Sequence, residues 1–143
     1  MAIASLLLKH KGRVVHSIAP EAPVLDAIRL MAQHGVGALL VMQGGKLLGV
    51  VSERDYARKV ILKGKSSNDT AVSHIMSAPV LTVNAQQSVH ECMRIMTEHR
   101  IRHLPVVDGE RVIGVLSIGD LVRAVVEEQQ QTITDLEHYI QHP

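Results

Sequence analysis

The sequence predicts an α/β protein made of two tandem repeats that pack with pseudo-twofold symmetry, flanked by N- and C-terminal helices. The first observation is that residues 49–58 return 65 positions later as residues 114–123. Paired without a gap, residues 15–58 and 80–123 share 13 identical positions of 44. The second observation is that both copies change between helical and strand periodicity in the same order. One strand-helix-strand-strand-helix unit is therefore made twice.

The first repeat covers residues 12–63 and follows a short helix over residues 1–11, which Gly12 ends. Its predicted elements are a strand at 14–18, a helix at 24–34, a strand at 38–42, a return strand at 47–51 and a helix at 55–62. Two prolines stop the first strand. Apolar residues at three- and four-residue spacing mark the first helix, and Gly35 ends it. Gly44 and Gly45 join the two later strands as a hairpin.

The second repeat covers residues 79–126, after a polar connector over residues 64–78 with a short helical turn at 71–76. Its predicted elements are strands at 80–83, 103–107 and 112–116, with helices at 89–99 and from 120 onward. The run at 127–131 is polar on all sides, and an apolar stripe then returns. The segment 127–143 therefore reads as a terminal helix that docks on its own module or on a second chain.

Composition excludes several functional classes. With 143 residues, 46% of them hydrophobic, and no long apolar run, the chain is expected to be a globular cytoplasmic protein without a membrane span or signal peptide. A net charge of +1 and only two aromatic residues give no basis for nucleic-acid binding. The one cysteine, Cys92, falls in an apolar helical stripe, which predicts a buried structural thiol.

The repeated motif is Ser-x-x-Asp where a strand becomes a helix, at Ser52 and Asp55 and again at Ser117 and Asp120. One interpretation is a capping box, in which both side chains bind free backbone N–H groups. The functional alternative is that the helix end attracts an anion while Ser donates its hydroxyl and Asp accepts from ribose hydroxyls. Capping alone accounts for either copy taken singly.

The doubled Gly-apolar-x-Ser-x-x-Asp-apolar ending, with the strands at 38–41 and 103–108, resembles the cystathionine-β-synthase (CBS) domain family in its tandem form, the Bateman module. The resemblance covers about residues 12–126. It implies a sensor that binds AMP, ADP, ATP, NAD(H) or S-adenosylmethionine in clefts between the two repeats. It implies no enzyme activity and no cofactor beyond that ligand.

The resemblance also implies roles for individual residues. Asp55 and Asp120 would hold ribose hydroxyls, and Ser52 and Ser117 would contact ribose or phosphate. The Asp120 site would add Val14, His16, Val36 and Gly37 around adenine, with Arg102 and His103 toward phosphate. The Asp55 site would add Pro79, Leu81 and Ile101 around adenine. Apart from the resemblance, Arg54 could bind phosphate there, and Arg58 belongs either to a solvated helix face or to the same phosphate contact. Many members carry a hydroxyl just before the Asp, where this chain has Arg54 and Gly119.

The two clefts are predicted to be unequal, with the better phosphate site at Asp120. Arg102 and His103 stand where the first repeat has Gly37 and Ala38. Lys11, Arg13 and His16 add positive charge ahead of the strand expected to line the same cleft. Protonation of His103 near pH ~6.5 would strengthen phosphate binding, whereas a purely structural histidine would not respond.

Three further expectations concern activity, metals and assembly. No catalytic arrangement is readable, so an enzyme acting on nucleotides is a weaker alternative than a ligand-free structural or dimerisation protein. His99 and His103 lie on different predicted elements, so no metal site is expected. The chain is expected to form a homodimer and to act on an effector protein of unknown identity. The predicted dimer surface consists of two apolar stripes: Ile3, Leu6 and Leu7, and Ile133, Leu136 and Ile140.

Overall fold

The computed structural model describes residues 2–142. Met1 and Pro143, the outermost residues of the two predicted flanking segments, lie outside the described part. The helices are α1 (Ala4–Lys11), α2 (Val24–His34), α3 (Glu53–Tyr56), α4 (Val89–His99) and α5 (Ile118–Gln141). The strands are β1 (Ser17–Ile18), β2 (Ala38–Gln43), β3 (Lys46–Ser52), β4 (Val83–Asn84), β5 (His103–Asp108) and β6 (Arg111–Ser117). A π-helical segment, Ala57–Ile61, continues α3, and a 3-10 turn covers Val72–His74.

Two three-stranded sheets have equivalent strand orders, β1-β2-β3 and β4-β5-β6. In the first, β1 is parallel to β2 and β2 is antiparallel to β3. In the second, β4 is likewise parallel to β5. The predicted α/β fold with a repeated supersecondary unit is confirmed.

The chain forms two compact units, and the N-terminal segment does not join the repeat that follows it. One unit, here the first unit, holds residues 15–81 and 110–112. The second unit holds the chain up to Val14 together with residues 82–109 and from 113 onward. Helix α1 therefore belongs to the unit built around the second repeat.

Each unit has its own apolar core between a sheet and its helices. The first core contains Val24, Ala27, Met31, Leu39, Val41, Val51, Val60, Val72 and Ile75. The second contains Ala4, Leu7, Leu8, Val83, Val89, Cys92, Met96, Leu104, Val106, Leu116 and Leu121. Cys92 is fully buried, as predicted, and burial together with the nearby Glu91 raises the pKa of its thiol to about 11. It is therefore a structural thiol.

Helix α1 packs on the second sheet because Gly114 leaves room for it. A Cβ at Gly114 would lie 2.5 Å from Leu8 Cδ2. The first unit repeats this contact with a different element, since a Cβ at Gly49 would lie 2.6 Å from Met76 Sδ. Leu7 and Leu8 are buried and stabilise their own unit, whereas Leu6, in the N-terminal half of the predicted dimer surface, is 44% exposed.

Four predicted elements differ from the structure. The first strands of both repeats begin at Ser17 and Val83, because the residues before them have no parallel partner in β2 or β5. Helix α3 begins at Glu53, since the N-cap is Ser52. The polar run at 127–131 does not interrupt α5, because Glu and Gln are strong helix formers that need no buried face. No helix within residues 2–142 is long and apolar enough to span a membrane.

Candidate functional site

The Ser-x-x-Asp motif of the first unit forms a complete capping box. Ser52 Oγ accepts from the Asp55 N–H at 3.1 Å, and Asp55 Oδ2 accepts from the Ser52 N–H and hydroxyl, both at 3.0 Å. The other oxygen, Asp55 Oδ1, is 3.1 Å from Lys59 Nζ and accepts from Ser77 Oγ at 3.4 Å. Lys59 also donates to the Ile75 carbonyl at 2.9 Å. Both oxygens of Asp55 are therefore engaged.

The second unit repeats the capping box at Ser117 and Asp120. Ser117 Oγ accepts from the Asp120 N–H at 3.2 Å, and Asp120 Oδ2 accepts from the Ser117 N–H at 2.8 Å. The added cation is Lys11 at the end of α1, whose Nζ donates to Asp120 Oδ2 at 2.6 Å and to the Val115 carbonyl at 2.7 Å. The capping interpretation is thus confirmed at both copies, and each carboxylate also carries a lysine.

Different donors serve equivalent carbonyls in the two units. Val50 and Val115 are equivalent residues, and the Val50 carbonyl accepts from the Ser77 N–H at 2.8 Å. In the second unit the Lys11 ammonium donates to the Val115 carbonyl. A lysine side chain therefore donates where the first unit has a backbone amide.

The environment of Asp120 favours its charged form. Burial raises its pKa, but the hydrogen bonds from Lys11 and the Ser117 N–H outweigh burial, so the pKa lies below the ordinary aspartate value. Only 12% of the Asp120 side chain is exposed, against 38% for Lys11. The site therefore holds a nearly covered carboxylate whose counter-ion reaches solvent.

His103 is less basic than the sequence analysis assumed. Burial lowers its pKa, Lys11 and Arg102 lower it further, and Asp120 opposes them only in part. His103 is consequently neutral at neutral pH, and the predicted gain of phosphate affinity near ~6.5 must begin at a lower pH. The assumption of an ordinary histidine value was wrong because the strand places this ring among cations and away from solvent.

In both units, a backbone hydrogen bond joins the first residue of a helix to the residue that precedes a strand. The Glu53 N–H donates to the Gly37 carbonyl at 3.0 Å, and the Ile118 N–H donates to the Arg102 carbonyl at 2.8 Å. Gly37, which the resemblance assigned to the Asp120 site, thus lies beside the Ser52 cap. The Arg102 carbonyl lies beside the Ser117 cap, and the Arg102 side chain is exposed.

The other predicted residues are divided between the units. The first unit holds His16, Val36, Arg54, Arg58, Pro79 and Leu81, and the second holds Val14 and Ile101. The imidazole of His16 stacks on that of His34 with 3.8 Å between ring centroids. Val14 is 72% exposed and Leu81 is 40% exposed, so neither is enclosed within its own unit. Arg54 and Arg58 are exposed.

One site residue, Ser77, was missed, and the ion pairs of Lys59 and Lys11 with their aspartates were not predicted. Lys59 is four residues after Asp55 on the same helix, a spacing that sequence reasoning can find. Ser77 and the pairing of Lys11 with Asp120 carry no local signal, because their partners lie 22 and 109 residues away. No cluster of His, Cys, Asp and Glu suited to a metal occurs within residues 2–142. A cavity of about 540 Å³ in the first unit, at Val15, Ser17, Met42 and Gly45, contains neither cap.

Comparison with known proteins shows the family. The CBS domain model matches residues 12–62 and 72–127. CBS domain-containing protein CBSX3, mitochondrial, of Arabidopsis thaliana is 46% identical over 123 residues, which are 82% of this chain and 60% of the plant protein. The chain therefore spans about three fifths of that relative. It belongs to the CBS domain family and carries two CBS domains in tandem.

Solved structures agree with this fold. A CBS-domain protein from Burkholderia ambifaria MC40-6 shares 50% identity with a TM-score of 0.86, covering 90% of this chain and 96% of that one. The CBS domain pair of protein MJ0100, in complex with 5′-methylthioadenosine and S-adenosyl-L-methionine, has a TM-score of 0.80 over 90% of this chain and 98% of that one. At 22% identity, the second likeness shows the fold alone.

Proposed function

We propose that this chain is a regulatory module that binds an adenosine-containing ligand at its Ser-x-x-Asp caps and passes ligand occupancy to an effector protein. The ligand class comprises AMP, ADP, ATP, NAD(H) and S-adenosylmethionine. The observation that best supports this proposal is a nearly covered carboxylate, which lies at the same point of both units and has a lysine beside it. Such a group accepts from vicinal hydroxyls while the cation meets a phosphate or carboxylate. The ligands of the MJ0100 domain pair, both adenosyl compounds, support this class.

The Asp120 cap is the stronger candidate because one of its oxygens is less engaged. Within the described residues, the hydrogen bonds to the Asp120 carboxylate all end on Oδ2, and Arg123 Nη1 lies 4.0 Å from Oδ1. Asp55 Oδ1, in contrast, has Lys59 and Ser77 within 3.4 Å. A ribose hydroxyl can donate to Asp120 Oδ1 without displacing a strong partner. The half-exposed Lys11 can then turn toward a phosphate.

The proposal also covers assembly, location and chemistry. We keep the predicted division into repeats at residues 12–63 and 79–126, joined by the connector at 64–78. We infer a homodimer, a cytoplasmic location and a regulatory role without catalysis. The plant relative is, by its name, mitochondrial, so the compartment of this chain needs its own measurement.

A structural module without a ligand is the second candidate, because both caps are complete without one. Thermal unfolding with AMP, ADP, ATP, NADH and S-adenosylmethionine separates the two, with GMP as the matched control for the base. At 100 times the dissociation constant, a ligand adds about 2.7 kcal/mol to the free energy of unfolding per site. The melting temperature should then rise on the order of 5 °C. If no adenosyl compound changes it, the structural candidate replaces the sensor.

A further inference from the structure

The C-terminal part of α5 has apolar side chains that its own unit does not cover. Residues 129–141 are all exposed, and α5, at 24 residues, is about 36 Å long. Ile133, Leu136 and Ile140 are 49%, 57% and 74% exposed. A helix end without tertiary contacts is marginal in water, so a covering surface would stabilise it.

These side chains follow the spacing of a coiled coil. Steps of four and three residues alternate along one face of α5 without a break from residue 122 to residue 140. We call this face the α5 seam, and it consists of Val122, Val126, Gln129, Ile133, Leu136 and Ile140. A mean step of 3.5 residues keeps a narrow stripe facing one neighbouring helix. Val122 and Val126 are 46% and 57% exposed, so the seam is open along its length.

We propose that the α5 seam binds the same seam of a second copy of the chain, with the two helices antiparallel. In the register that uses the whole seam, Val126 faces the partner's Leu136 and Ile133 faces the partner's Gln129. Ile140 then faces the partner's Val122. Each contact occurs twice under twofold symmetry, so one helix face is complementary to itself.

Charge selects the antiparallel direction. Arg123 and Glu137 each follow a seam residue by one position, on the flank where antiparallel helices meet. In the proposed register Arg123 lies beside the partner's Glu137, and the pair is repeated by symmetry. In a parallel pair the two residues would stand 14 positions apart, or about 21 Å, and could not meet. The Arg123 side chain is 71% exposed and its contact with Asp120 is long, at 4.0 Å, so it is available.

This inference rests on the proposed homodimer but not on ligand binding. The first test measures the molar mass of the full chain by light scattering at about 20 µM for the native protein, Leu136→Glu and Gln131→Glu. Gln131 lies on the outer face of the same helix and is the matched control for the added charge. We expect dimers for the native chain and Gln131→Glu and a monomer for Leu136→Glu, with association weakened at least tenfold. Leu136 lies outside both cores, so the unfolding transition of the two units should stay native, and circular dichroism should lose no more helix than the uncovered end of α5.

Each contrary result has a separate meaning. If Leu136→Glu remains a dimer, the seam is not the interface, although the homodimer itself stands. If the native chain is a monomer, both inferences are overturned, and the seam is left for a different protein.

The second test uses charge reversal to determine whether the two α5 helices are antiparallel. Glu137→Arg places two arginines side by side at each flank and should weaken dimerisation roughly two- to tenfold. Adding Arg123→Glu restores opposite charges across the antiparallel interface and should recover the native dissociation constant. A double variant no tighter than Glu137→Arg alone would overturn the antiparallel arrangement.

Discussion

At the scale of single residues, Asp55 and Asp120 have the same local motif but different counter-ions. Lys59 comes from the helix that Asp55 itself caps, and Ser77 comes from the connector. Lys11 reaches Asp120 from α1, at the other end of the chain. The two caps are therefore locally alike and chemically unequal, and the following two predictions use that difference.

The first prediction is that Lys11 separates phosphorylated from unphosphorylated ligands. Lys11→Met removes a cation that can bind phosphate and also frees Asp120 for ribose. Affinity for AMP should fall roughly tenfold relative to affinity for adenosine, since a hydrogen bond to a charged group contributes about 1.5–3 kcal/mol. Calorimetry with both ligands measures the ratio, and Lys9→Met, an exposed lysine on the same helix, is the control. If the ratio of AMP affinity to adenosine affinity does not change, Lys11 only stabilises the cap.

The second prediction compares the two aspartates. Asp120→Asn and Asp55→Asn each keep a side-chain oxygen for the cap but lose the charge that pairs with lysine and that, in the proposed function, binds ribose. Asp120→Asn should reduce ligand binding by about 1–3 kcal/mol, and Asp55→Asn by less. Titration calorimetry with AMP decides between them, and circular dichroism checks the fold. A larger loss for Asp55→Asn would place the principal site in the first unit.

At the scale of elements, the two repeats end their first helices in the same backbone conformation with different residues. Helix α2 ends at Gly35 with φ 64°, and α4 ends at Arg100 with φ 54°, both left-handed. Glycine adopts this conformation without steric cost, whereas an L-residue pays roughly 1–2 kcal/mol. The Arg100 side chain is exposed, so little packing offsets that cost.

The third prediction follows from this pair. Arg100→Gly should raise the free energy of unfolding by about 0.5–1 kcal/mol, after subtracting the greater freedom of glycine in the unfolded chain. Gly35→Arg should lower it by a similar amount. Urea denaturation of both variants measures the change. Destabilisation by Arg100→Gly would mean that the arginine makes a compensating interaction.

At the scale of the whole molecule, the pKa shifts of His16, His103 and Asp120 all make stability depend on pH in the same direction. The pKa values of His16 and His103 lie below the ordinary 6.5, because burial and neighbouring cationic groups oppose protonation in the folded state. The pKa of Asp120 lies below the ordinary 3.8, because the folded state favours its charged form. In all three cases the unfolded chain binds a proton more readily than the folded one. Stability must therefore fall as pH falls.

The fourth prediction gives the pH windows. The free energy of unfolding should be level at about pH 7.5, decrease as pH falls below 6.5, and decrease again below 3.8 as Asp120 loses its charge. Urea denaturation across this range measures it. His103→Gln should reduce the first decrease, while an exposed control, His138→Gln, should not. Stability that stays level from pH 7.5 to 5 would contradict the lowered histidine values.

How far the sequence predicts the fold depends on the range of the interaction. Helices α2 and α4 were predicted with their observed ends, because apolar spacing and an end residue lie within one segment. The hairpin β2-β3 was located to within a residue at each end for the same reason. The short β1 and β4 were predicted to begin three residues too early, because each pairs with its distant partner strand over two residues only and no local pattern shows where that pairing begins.

The sequence by itself determined that this protein contains one α/β unit twice and that each copy ends in a Ser-x-x-Asp cap. Both follow from local patterns that repeat 65 positions apart. Only the tertiary structure decided that α1 packs beside the second sheet and brings Lys11 to Asp120, because that contact joins residues 109 positions apart. It also decided that the pKa of His103 lies below its ordinary value and that the α5 seam stays open. Burial and long-range contacts depend on how the elements pack, and no local spacing encodes them.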